Sequence, residues 1–316
     1  MNWKKWISVL PVVAVGAGLL AAGGRSANAA DANKAQWASR CATRLSIAIL
    51  GKSADPTLAS NSDPQSTVDA MLQNPAFQER FARSVNSKFN SGPGAAQTDD
   101  AVYYLTKYVV TNNKPWKDLF LGQYKVDVDA SKNMAVTVDP NGLGYFRSLP
   151  WKRRYAGNES AGYTLPTAYR MVNNTTGTEL IASTAVPGTD RTATGRQAPT
   201  CSPCHYDNWY ALDHIAKVLT HRNGTGDTMT FDPPTEAPQK VLDGTMANND
   251  KDVVTTLVNS EHFDFHTCRL AFQYLYGRNE NQCEAPLFDK CVDTYRQTGT
   301  IQSAISVVAK DQGFCQ

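Results

Sequence analysis

The sequence predicts a mostly α fold, with helical regions on either side of an irregular, weakly β linker. Three observations predict it. Apolar residues recur at spacings of three and four over residues 34–123 and again after residue 205, as on one face of a helix. Residues 124–199 between them hold only short alternating runs broken by turn residues. The stretch Cys201-Ser202-Pro203-Cys204-His205 stands where the linker gives way to the second helical region, residues 200–316.

The chain begins with a basic segment containing Lys4 and Lys5, then an apolar run over 7–22, then Ala27-Asn28-Ala29. This order predicts a secretory signal peptide over residues 1–29. Pro11, Gly16 and Gly18 interrupt the apolar run, which is short for a membrane span of about 20 residues. No integral membrane anchor is therefore expected after cleavage. Cleavage removes Lys4, Lys5 and Arg25 and no acid, so the formal charge falls from +2 to −1. That balance gives no reason to expect a nucleic-acid partner.

Residues 30–123 form the first helical region. Trp37, Cys41, Leu45, Ala48 and Ile49 share one face, and Gly51 can cap the end. Pro75 suits the first turn of a helix carrying Phe77, Phe81, Val85 and Phe89 at intervals of four. After Gly92-Pro93-Gly94 the pattern resumes with Val102, Leu105 and Val109, and a short piece follows around Leu119 and Phe120.

In the linker, Tyr124–Val128 and Met134–Val138 alternate as a small hairpin would. Asn141-Gly142, Asn174-Thr175-Thr176-Gly177 and Pro187-Gly188 read as turns. Trp151-Lys152-Arg153-Arg154 is a basic cluster, either a solvated loop or a counter-charge for an anionic cofactor group or an acidic partner.

In the last region a helix is expected over 206–220, with Trp209, Leu212, Ile215 and Leu219 inward. Further helices follow over 250–259, 263–276, 287–297 and 300–309. A weak internal repeat relates Arg44-Leu45…Gly51-Lys52 to Arg269-Leu270…Gly277-Arg278, each preceded by a cysteine, Cys41 or Cys268.

The C-x-x-C-H stretch carries the chemistry. Two thiols at this spacing can form thioether bonds to the vinyl groups of one porphyrin, and the adjacent imidazole then ligates the iron. A zinc ribbon would need a second close cysteine pair, and a thioredoxin-like site a βαβ context; the chain offers neither. Cys201, Cys204 and His205 are therefore expected to hold one covalent haem c. The sixth ligand stays open between Met246, Met229, the histidines His214 and His221, and an open or water-bound iron. His262 and His266, at i and i+4, read as surface or packing residues rather than a metal face.

Seven cysteines in an exported chain imply covalent use of most of them. Closure of the last two helices into a hairpin favours Cys291–Cys315. Cys268–Cys283 is the second expectation, which leaves Cys41 over or paired with Cys268.

These residues resemble the uncharacterised cytochrome-c-like domains of planctomycete and myxobacterial secreted proteins. The counterparts are Ile49-Leu50-Gly51-Lys52, Cys201 to His205, Cys268 to Arg278, and Asp311 to Phe314. In that family an Asp-Pro-x-Gly stretch commonly follows the haem motif, whereas here Tyr206-Asp207-Asn208-Trp209 follows it. The resemblance implies an exported haem protein that carries electrons to a partner protein. With the signal peptide, this points to the periplasm or cell exterior of a Gram-negative bacterium. A haem-dependent oxidative, peroxidase-like enzyme and a haem-fastened binding or scaffold protein are the alternatives. No P-loop, G-x-S-x-G, H-E-x-x-H or Rossmann glycine pattern is present.

Overall fold

A computed structural model describes residues 23–94, 100–131, 133–181 and 187–316. The signal-peptide expectation falls largely on residues 1–22, outside the described residues. The chain is 57% helix and 8% strand, so the mostly α class holds.

Helix α1 (Gly23–Leu45) runs into a π turn (Ser46–Leu50), which Gly51 ends in the left-handed conformation at φ 72°. Short helices α2 (Pro56–Ala59) and α3 (Val68–Met71) lead to α4 (Pro75–Phe89). Asn74 caps α4 by accepting from the Ala76 N–H, and Pro75 fills the first helical position. The four-residue spacing places Phe77, Phe81, Val85 and Phe89 in the core. Helices α5 (Ala101–Thr111) and α6 (Asp118–Leu121) follow, α5 lying against α4.

Strands β1 (Tyr124–Val128) and β2 (Met134–Val138) form the expected hairpin, with Tyr124 opposite Val138. The rest of the linker is more ordered than its turn residues suggest. Helix α7 (Leu149–Arg154) buries Trp151, and α8 (Leu165–Thr176) buries Ala168, Met171 and Val172. Asn174-Thr175-Thr176 is the last turn of α8, and Gly177 is its left-handed cap at φ 72°. The basic cluster of α7 is spent on tertiary contacts: Lys152 lies over the Phe231 ring and Arg154 donates to the Ser91 carbonyl.

The helix expected over 206–220 is broken. A π turn (Pro203–Asp207) is closed by the Asn208 N–H donating to the Pro203 carbonyl, and α9 spans only Leu212–Ala216. Two small antiparallel hairpins follow, β3 (His221–Asn223) with β4 (Thr230–Asp232), and β5 (Gln239–Val241) with β6 (Thr245–Ala247). The chain ends in α10 (Asp250–Val258), α11 (Glu261–Tyr276), α12 (Ala285–Thr298) and α13 (Ile301–Ala309), each within a few residues of the sequence expectation.

The first and last helical regions share one core. Tyr274 of α11 packs edge-on against Phe77 and Phe81, and Phe263 against Phe120. The two repeat copies touch: Tyr274 Oη donates to the Ile49 carbonyl at 2.7 Å, and Arg44 lies over the Tyr276 and Phe314 rings.

The disulfides correct the sequence expectation. They join Cys41 to Cys315 and Cys268 to Cys291, and Cys283 is free and exposed. Cys291 lies midway along α12, where it faces Cys268 of α11. Cys315 lies beyond α13, in a terminal turn that packs on α1. The segment carrying Cys283 is held by ion pairs instead, Arg278–Glu284 and Arg269–Glu280.

Candidate functional site

The Cys201–His205 segment is a tight turn. The N–H groups of Cys204 and His205 both donate to the Cys201 carbonyl, and the π turn that follows has the irregularity often met at functional sites. Cys201, Cys204 and His205 are half-buried and line one cavity of about 980 Å³. Its wall is mostly apolar. Leu165, Pro166 and Tyr169 come from the first turns of α8, and Leu180 and Leu212 complete that side. Ile181, 99% exposed, lies at the lip. The polar part includes Glu159 and Asp190 as well as Arg191 and Arg196.

His205 is held from one side. Its Nδ1 lies 2.7 Å from Asp213 Oδ2, and Asp213, in the first turn of α9, is 2% exposed. Arg196 grips the same carboxylate, with Nη2 2.7 Å and Nε 3.1 Å from Oδ1 and Nε 3.0 Å from Oδ2. Arg196 is itself fixed by donating to the Arg191 carbonyl, and Tyr206 Oη donates to Asp213 Oδ1 at 3.2 Å. Burial pushes the Asp213 carboxyl up, but His205 and Arg196 outweigh it and hold the group below the ordinary carboxylate range. Burial also raises the Tyr206 hydroxyl, and the Asp213 charge adds to it.

The two thiols have weak polar neighbours. Cys204 Sγ lies 3.6 Å from Tyr210 Oη, to which Asn208 also donates, and Cys201 Sγ lies 3.7 Å from Thr200 Oγ1. Neither thiol is in a disulfide. Among the described residues no group of three or more His, Cys, Asp or Glu side chains is placed to hold a bare metal ion. A single imidazole and two free thiols on a large apolar cavity suit a porphyrin better than a naked ion.

No protein-family model, curated protein or solved structure matches the chain.

The other named residues lie elsewhere. Met246 is on β6, 55% exposed, and neither it nor Met229 lines the cavity. His214 meets Gln239 and the Tyr206 ring, and His221 reaches the wall only through Tyr163, its ring 5.1 Å away. His262 stacks on Trp209, whereas His266 stacks on Phe89, so the two do not share a metal face. A second groove of about 1,030 Å³ is lined by Arg40, Arg44, Arg80 and Arg83 and contains no thiol or imidazole. In the sequence Asp213 stands out only as one of three acid/base candidates close to the motif, with Asp207 and His214, and neither Arg196 nor α8 is singled out there. The signals for α8 were Pro166 near its start, Gly177 at its end, and Leu165, Ala168 and Val172 between them.

Proposed function

We propose that the protein is an exported monohaem c-type cytochrome that transfers electrons to a partner protein, its haem joined to Cys201 and Cys204 and ligated by His205. One observation carries the reading: both thiols, kept out of the disulfides, and a braced His205 share the wall of one large, mostly apolar cavity. The volume is at the upper end of the range for small-molecule and cofactor sites, roughly 300–1,000 Å³. Attachment adds each S–H across a vinyl double bond, with no leaving group and no oxidant, so both sulfurs must be reduced thiols. The apolar wall would exclude water from the porphyrin faces. Export agrees with four cysteines in two disulfides and with the leader-like N-terminus. The resemblance to secreted cytochrome-c-like domains implies the same cofactor.

The test is export of the full chain in a host that attaches haem c, followed by an alkaline pyridine spectrum and intact mass. One haem per chain is expected. Its loss in Cys201→Ser/Cys204→Ser, with the fold intact by circular dichroism, completes the expected result. A folded wild-type chain without covalent haem refutes the reading.

A second reading, haem-dependent oxidation, is favoured by the cavity lining. Among the described lining residues His205 is the only imidazole and there is no methionine. A six-coordinate, low-spin resting spectrum supports the electron carrier; a high-spin iron that binds added ligands supports the oxidative enzyme.

A further inference from the structure

We infer, on the basis of the haem reading above, that Asp213 is the positioning residue of His205 and biases the bound iron toward its oxidised state. The chain would then act as a low-potential donor, passing one electron from ferrous iron to a more oxidising partner.

Three features carry this. The His205 Nδ1 to Asp213 Oδ2 distance of 2.7 Å is that of a strong, charge-assisted hydrogen bond. An ionised carboxylate only accepts, so Nδ1 donates, which leaves Nε2 as the nitrogen that would ligate a metal. Such a carboxylate partner both fixes the ring and makes it a more basic ligand. A neutral carbonyl could orient the ring equally well, but would not place a full negative charge behind it.

The carboxylate itself is immobilised. Arg196 makes a two-pronged contact with it inside the protein, and Tyr206 adds a third donor at 3.2 Å. Arg196 Nε shares Oδ2 with His205, whereas Arg196 Nη2 and Tyr206 take Oδ1 of the same carboxylate, and together these donors set how much negative charge the imidazole feels. A more basic axial ligand stabilises ferric iron over ferrous iron, because the ferric ion carries the larger positive charge.

The test is an equilibrium redox titration of the haem-loaded, full-length protein and its variants. Asp213→Asn should shift the ferric–ferrous ratio toward ferrous at least tenfold, which raises the potential by about 59 mV for one electron. Tyr206→Phe removes a donor to Oδ1, leaves more negative charge on the carboxylate that faces His205, and should move the potential the other way by a smaller amount. Asp213→Glu, which keeps the charge, should stay within a few-fold of wild type. A merely structural role would not give opposite signs. The proposal is overturned if Asp213→Asn and Tyr206→Phe leave the potential unmoved, or move it in the same direction, with the haem spectrum intact. If Asp213→Asn does not fold, Tyr206→Phe decides: no downward shift overturns the proposal. A pyridine spectrum taken first separates the two claims, since absence of covalent haem refutes the haem reading and this proposal with it.

Discussion

Cys41 and Cys315 are 274 residues apart in the chain and joined by a disulfide, with their Cα atoms 4.7 Å apart. The bond ties α1 to the terminal turn after α13, so the two ends of the described fold are a single packed unit. Cys315→Ser should destabilise the protein by about 2–5 kcal/mol in denaturant unfolding. Non-reducing peptide mapping should give Cys41–Cys315 and Cys268–Cys291, with Cys283 alkylated in the native protein. Recovery of Cys291–Cys315 would restore the pairing expected from sequence.

Gly177 and His266 form a second close relationship. Gly177 is at φ 72°, and a Cβ there would overlap His266 Nδ1. Gly177→Ala should cost about 1–2 kcal/mol for the left-handed backbone and about 1–3 kcal/mol for the displaced ring. Gly299 has the same φ but open space around it. Gly299→Ala should therefore show only the backbone part. Equal losses of thermal stability in the two variants would remove the role of the ring.

His266 also sets a pH dependence. Its Nε2 is buried without a hydrogen-bond partner, and burial, with the Arg269 and Lys88 charges, pulls its pKa down from 6.5 to about 3. In the unfolded chain the imidazole titrates near 6.5, so the unfolded state takes up the proton first as pH falls. Stability is full above about pH 6.5 and is lost progressively toward pH 3. Because the residue as a whole is only half-buried, the loss by pH 5 should be about 1–2 kcal/mol. Urea unfolding at pH 7 and pH 5 checks this, and His266→Phe should lack that component of the slope.

Met246 and Met229 lie off the cavity, which predicts a spectroscopic result. Met246→Leu and Met229→Leu should leave the visible spectrum of the haem-loaded protein unchanged. Disappearance of a thioether-to-iron band in either variant would place that sulfur on the iron.

The buried Arg196–Asp213 pair also bears on stability. Their side chains are 7% and 3% exposed. Arg196→Met should cost about 3–5 kcal/mol, because Asp213 is left buried with one charged partner fewer. An unfolding free energy within about 1 kcal/mol of wild type in urea would mean that His205 and Tyr206 suffice to hold the carboxylate.

Much of the helical frame was legible in the residues. Phe77, Phe81, Val85 and Phe89 mark a buried stripe because a helix brings every fourth residue to one face, whatever it packs against. Caps such as Asn74-Pro75 and Asn249 are equally local, since the side chain satisfies N–H groups only two or three residues away. Helix α8 was less legible. Its Asn and Thr residues favour turns in isolation, and burial against α9, α10 and α11 overrides that preference.

The sequence by itself determined the class of the fold, most helix positions and the chemistry on offer at Cys201, Cys204 and His205, because periodicity and a five-residue spacing are short-range properties. Tertiary structure alone decided which cysteines pair, that α8 faces the motif across a cavity, and that Asp213 and Arg196 stand behind His205. Those relations join residues from 8 to 274 positions apart, and only the packing of one shared core brings such residues within bonding distance.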